Sequence, residues 1–164
     1  MNYATFRPQI KSGDLLAWST HQAKGFRRFI NNFIRVFTMS EFSHVGIAWV
    51  IGDRVFVIEA VSPTVRIFPL SKKVPFYHID MGLNIDDDHV NYLLSRVGES
   101  YSILQAIQAY FGKPKEDKVW QCAELCTSFY RKSGLAIKNS WTPSALVEAI
   151  LSFDEQKQLT FIAK

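Results

Sequence analysis

Both cysteines of the chain fall in one stretch, VWQCAELCTSF, with Cys122 and Cys126 one helical turn apart. A thiol at the start of a helix can serve as a nucleophile, because the unpaired N–H groups and the positive dipole end there favour thiolate. Such a thiol needs a base, and no histidine lies within thirty residues of Cys122. Two strand-like runs supply one: SHVGIAWVI contains His44, RVFVIEAV contains Glu59, and only Gly52-Asp53 separates the runs. That spacing predicts a β-hairpin with a two-residue turn. With Ile51 opposite Arg54, Gly46 faces Glu59 and His44 faces Val61. Alternation then sets His44, Gly46 and Glu59 on one face, with His44 and Glu59 as diagonal neighbours and Gly46 leaving space over the ring. A glutamate in an apolar strand is costly to bury alone, and the histidine offers a partner. The carboxylate would orient the imidazole and favour its protonated form. Cys122, His44 and Glu59 together make a nucleophile, base and orienter set. The plainer alternative has Glu59 reaching solvent, His44 capping an edge and Cys122 in the core. Cys126, beside Leu125 and Phe129, is expected to be a buried small hydrophobe.

The other titratable residues have plainer readings. His78, in FYHID, is a rival base but reads as a strand residue satisfied by its neighbours. His21 sits in a polar loop. Asp86, Asp87, Asp88 and His89 read as a helix start that complements the dipole, since consecutive residues do not converge on a metal. A zinc site from Cys122, Cys126 and a histidine lacks an ordered second ligand pair. Neither a metal nor a cofactor is expected. Glu124 should face the first-turn amides or solvent. Asp14 reads as a turn former, with a supporting role open.

These residues must be positioned by a strand-rich first half and a helical second half. Ser12-Gly13-Asp14 is a turn before a strand at Leu15–Trp18. Phe26–Phe37 has a helical period, with an apolar stripe opposite Arg27, Arg28 and Arg35. Covering a sheet is the commoner use of such a helix; weak membrane-surface contact or a substrate lid is the lesser alternative. Strands at Val65–Leu70 and Phe76–Met81 follow the hairpin. Helices are expected from Asp86 through Val97, ended by Gly98, and from Tyr101 to Phe111. After a charged loop at Lys113–Lys118, the Cys122 helix runs to about Lys132, with Gly134 as its C′ residue. Thr142-Pro143 caps a last helix through Leu151, and Leu159–Ala163 could be an edge strand. Strands first and helices afterwards predict an α+β class with an antiparallel sheet packed against helices.

At 164 residues and 48% apolar composition, residues 1–164 read as a single globular domain. The net charge of +4 is only mildly basic, and no nucleic-acid motif is present, so no nucleic-acid partner is expected. The N-terminus MNYATFRPQI has no apolar leader and no long apolar run exists, so the expected location is cytoplasmic. Release by lysis or action in a virus-infected cell stays open. The cysteine spacing makes a poor disulfide. Oligomeric state is not legible.

The pieces KSGDLLAWS, FSHVGIAWV, VFVIEAV, VGESYSI and WQCAELCTSFY, in that order, resemble the circularly permuted branch of the NlpC-type papain-like cysteine hydrolases, the YiiX-like group. The lecithin:retinol acyltransferase-like enzymes are relatives of that branch. The likeness runs from Gly13 to about Leu146, with TPSAL at Thr142–Leu146 also matching, and rests on the ordered set rather than on one motif. It implies a permuted papain-like fold with Cys122 as nucleophile, His44 as base, Glu59 as orienter and Tyr101 near the site. Ala123 departs from the serine that relatives often carry there. The papain order broken and rejoined would explain a base upstream of its nucleophile. The implied activity is thiol-dependent cleavage of an amide or ester in a small peptide-like or acylated substrate. Cell-wall peptide is the first expectation, and acyl lipid or another ester the second. The non-enzyme alternative is a binding module that keeps the fold without activity.

Overall fold

The computed structural model describes residues 1–19, 41–101 and 120–164. The expected Phe26–Phe37 helix, His21, the charged loop at Lys113–Lys118 and all but the first residue of the Tyr101–Phe111 helix lie outside these residues. Six strands form one sheet: β1 (Leu15–Ser19), β2 (Phe42–Ile51), β3 (Arg54–Val61), β4 (Thr64–Pro69), β5 (Phe76–Ile79) and β6 (Thr160–Ile162). Their order is β4-β3-β2-β1-β5-β6, and every neighbouring pair is antiparallel. Among the described residues four α-helices accompany them: α1 (Tyr3–Phe6), α2 (Asp87–Arg96), α3 (Cys122–Lys132) and α4 (Pro143–Phe153). The class is α+β, as expected. No helix of the described residues is long and apolar enough to cross a membrane.

The helix ends follow local chemistry. Asp86 caps α2 by accepting from the His89 backbone N–H at 3.0 Å, with Asp87 and Asp88 in the first turn. At the start of α3, Glu124 reaches back toward the Gln121 N–H at 3.4 Å. Arg131 and Lys132 fill its last turn, and Gly134 follows with φ +84°. Thr142 and Pro143 start α4 as expected, though it continues to Phe153 rather than Leu151. Tyr101 forms a parallel bridge with Trp120, its N–H bonded to the Pro63 carbonyl at 2.9 Å.

Period-2 alternation divides the sheet into two faces. Leu15, Ala17, Val45, Ile47, Ile58 and Ala60 pack against the helix residues Leu125, Phe129, Leu146 and Ile150. Leu16, Trp18, Ala48, Val55 and Val57 pack on the other face against Phe6, Ile10, Leu70 and Phe76. Each fully buried Leu, Ile or Phe contributes about 1.5–3 kcal/mol. This two-sided burial locks the register, because a one-residue slip would exchange the faces.

The β2–β3 hairpin has the expected register from Ile51↔Arg54 to Ile47↔Ile58, where its ladder ends. The Gly46–Glu59 and His44–Val61 ladder pairs are not formed. β3 continues its pairing with β4, where Glu59 lies opposite Arg66. Gly46 is closely enclosed on its side-chain side. A Cβ there would stand 2.5 Å from Val57 Cγ2 and 3.3 Å from Glu59 Cβ, so the bare glycine lets those two side chains close in.

Candidate functional site

His44 and Glu59 meet where the hairpin ladder stops. His44 Nε2 lies 2.6 Å from Glu59 Oε2, and the Glu59 side chain is fully buried. An ionised carboxylate only accepts, so Nε2 carries the proton of this bond. Two residues that the sequence reading passed over also hold the carboxylate. Arg66 donates to Oε1 from Nε at 3.0 Å and from Nη2 at 2.9 Å, and Lys73 Nζ donates to Oε2. Burial alone would raise the Glu59 pKa. The charges and hydrogen bonds of His44 and Lys73 outweigh it and hold the carboxyl far below the usual range. Trp18 organises the same cluster from β1. Its ring is 5.4 Å from that of His44, its indole N–H donates to the Lys73 carbonyl at 2.7 Å, and Lys73 Nζ stands 3.9 Å from the ring centre.

Cys122 belongs to the opposite layer. It packs in the core between the sheet and the helices and is 7% exposed, whereas alternation turns His44 and Glu59 toward Trp18. The two layers communicate at the end of the ladder. The Ala48 N–H and C=O bond to Asp14 and Gly13 on the β1 side, so the odd-numbered amides of β2, Val45 included, point toward β3. The β2–β3 ladder ends at Ile47↔Ile58, and the Val45 backbone N–H lies near enough to Cys122 to favour its thiolate. The thiol thus sits against the residue next to His44, close enough to feel the charges of Lys73 and Glu59.

The expected thiolate preference is overturned. Burial pushes the Cys122 thiol up, and the Val45 and Ala123 N–H groups together with Lys73 only partly offset it. The sequence shows the favourable helix start but not the apolar layer over it. Cys126 is fully buried and pushed up further by burial, in keeping with a core role. Both thiols are free. Gln121, just before the nucleophile candidate, has a buried Nε2 with no hydrogen-bond partner. Tyr101 reaches this neighbourhood through its backbone bridge to Trp120, two residues before Cys122.

The remaining candidates have structural partners. His78 Nε2 bonds buried Asp14 at 2.7 Å. Asp14 also accepts from the Lys11 and Met81 N–H groups at 2.8 and 3.1 Å, so its supporting role is to join turn, strand and loop. Among the described residues no group of three or more His, Cys, Asp or Glu side chains could hold a metal ion. A cleft of about 440 Å³ runs along the outer face of α3, between Trp120, Arg131 and Trp141. None of Cys122, His44 and Glu59 lines it, so position along α3 is its sole link to the thiol.

Of the missed residues, Arg66 had a readable signal. Ser62-Pro63 is a second two-residue connection, and pairing across it sets Glu59 opposite Arg66. Lys73 lies just past a short 3-10 turn at Leu70–Lys72 and carries no periodic signal.

No protein-family model matches the chain, and no curated protein does. Among solved structures the chain is similar to one described as the metalloprotein YiiX from Escherichia coli O157:H7, DUF1105, at TM-score 0.58 and 16% identity. The alignment covers 95% of this chain and 98% of that one. At this identity the likeness is one of fold: the chain shares the α+β architecture of YiiX over nearly its whole length.

Proposed function

We propose that the protein is a cysteine hydrolase of the permuted papain-like, NlpC-type fold, with Cys122 as nucleophile, His44 as base and Glu59 as orienter. One observation carries the reading: a buried 2.6 Å His44–Glu59 bond whose carboxylate lies within electrostatic reach of the free Cys122 thiol. The similarity to YiiX supports the fold it needs.

With Nε2–H directed at Glu59, Nδ1 is the basic nitrogen of His44. Cys122 Sγ attacks the carbonyl carbon of a bound amide or ester, and its proton passes to Nδ1. The carbonyl π pair moves to oxygen, where the Cys122 backbone N–H at the helix start and the unpaired Gln121 Nε2 are the candidate donors. His44 then protonates the leaving nitrogen or oxygen as the acyl bond breaks. Water activated by the same ring releases the acyl group. A small peptide-like amide is the favoured substrate class.

The test is turnover of labelled muropeptides and of short-chain acyl esters by wild type, Cys122→Ala and Cys126→Ala. Loss of turnover by a factor of about 10³ or more in Cys122→Ala alone is expected. Ester turnover without peptide turnover would move the substrate to the acyl-ester class. Full activity in Cys122→Ala would remove the hydrolase reading.

A further inference from the structure

On the face of the sheet away from Cys122, β5 carries a second histidine–carboxylate pair. His78 Nε2 bonds Asp14 Oδ2 at 2.7 Å, and both side chains are almost wholly buried. Asp14 already accepts from the Lys11 and Met81 N–H groups, so Nε2–H donates the third bond and the ring lone pair is left at Nδ1. Among the described residues no hydrogen bond engages Nδ1. His78 lines a cleft of about 480 Å³, a volume within the range of about 300–1,000 Å³ that small-molecule sites occupy. None of Cys122, His44 and Glu59 lines it.

The charged side chains around this cleft are already paired inside the protein. Lys11 Nζ holds Asp80 at 2.8 Å, while Lys157 Nζ lies 3.6 Å from Asp154 and donates to the Asp80 carbonyl at 3.1 Å. An ionic ligand would have to compete with these pairs, and a neutral one would not. The lining also offers Gln9, Gln158 and Thr160, whose side chains each both donate and accept. Phe6 adds an aromatic wall, edge-to-face with the His78 ring at 5.0 Å between centroids. We propose that the cleft binds a neutral saccharide, with one sugar hydroxyl donating to His78 Nδ1 and its neighbours bonded to Gln158 and Thr160. Vicinal hydroxyls suit such a lining because each is donor and acceptor at once. A peptide group offers one donor and one acceptor on opposite sides of a rigid plane, and meets fewer of these groups. Asp14 is a positioning residue, since its bond to Nε2–H fixes the ring and its tautomer.

The experiment titrates histidine-labelled full-length protein above neutral pH and follows the His78 ring by nitrogen NMR, with His78→Gln used for assignment. Glucose, N-acetylglucosamine and maltose are the saccharide probes; sodium phosphate and N-methylacetamide are the anionic and amide probes. At least one saccharide should move the Nδ1 resonance saturably, and phosphate and N-methylacetamide should leave it in place. Gln158→Ala combined with Thr160→Val keeps the buried His78–Asp14 pair and should weaken that saccharide about tenfold. Thr160→Ser, which retains the hydroxyl, should bind as wild type does. The absence of a saturable shift with every saccharide overturns the proposal, as does an equal response to phosphate or N-methylacetamide. Saccharide affinity unchanged in the double variant also overturns it, because binding would then lie elsewhere. Cys122→Ala should bind saccharide like wild type, so this inference and the hydrolase reading fail separately.

Discussion

The fully buried Glu59 carboxylate accepts from His44, Arg66 and Lys73. Its folded pKa lies below its ordinary value of 4.5, so ionised Glu59 stabilises the fold fully above that value. The contribution is lost as pH falls through the folded pKa. Glu59→Gln leaves Arg66 and Lys73 without their anion and should cost about 3 kcal/mol or more near neutrality. Urea melts of wild type and variant check the sign. The difference should be largest above pH 4.5 and shrink in more acid solution. Equal differences at all pH values would mean that Glu59 stabilises by packing alone. At this scale the three candidate residues were legible, because a carboxylate and an imidazole in apolar strands and a cysteine at a helix start are each chemically conspicuous. The protonation state of the thiol was not legible. It depends on what covers Cys122, and coverage is a sum over residues distant in sequence.

The hairpin shows how far an element can be read alone. Its turn and the register up to Ile47↔Ile58 follow from Gly52-Asp53 and strict alternation. The ladder's early end at that pair does not, since β3 goes on pairing with β4 where β2 has left it. Gly46 is the element's tightest point. Gly46→Ala would push a methyl to 2.5 Å from Val57 Cγ2, and overpacking of this kind should cost about 1–3 kcal/mol. The thermal midpoint should drop, because the Ile58 carbonyl oxygen at 3.2 Å and Glu59 Cβ at 3.3 Å also crowd that methyl. A variant as stable as wild type would show that Val57 yields freely. At α4, Thr142→Ala removes the 3.3 Å cap on the Ala145 N–H and should cost about 1 kcal/mol in chemical denaturation, without altering Cys122 reactivity. The backbone partner of Tyr101 was not legible at this scale. Helical spacing read from Tyr101 onward gave no sign that its backbone bridges Trp120.

For the whole molecule, Asp14 is the test of what belongs to the scaffold and what to the site. It joins the Lys11 turn, His78 on β5 and the Met81 amide, and the neighbouring Gly13 carbonyl accepts from buried Tyr130 of α3 at 3.1 Å. Asp14→Asn breaks a buried pair and should destabilise by about 3 kcal/mol or more. In folded protein the alkylation profile of Cys122 should stay unchanged, and a large shift in that profile would tie Asp14 to the chemistry. The sequence by itself determined the α+β class, the starts of α2, α3 and α4, the hairpin turn, and Cys122, His44 and Glu59 as the residues to consider. Periodicity, capping and turn chemistry act over a few residues and are written locally. Only the tertiary structure decided that Arg66 and Lys73 share the Glu59 carboxylate, that the thiol lies in the opposite layer at the end of a ladder, and that burial raises it. Charge balance and desolvation depend on distances between segments far apart in the chain, and those distances exist only once the sheet and helices have packed.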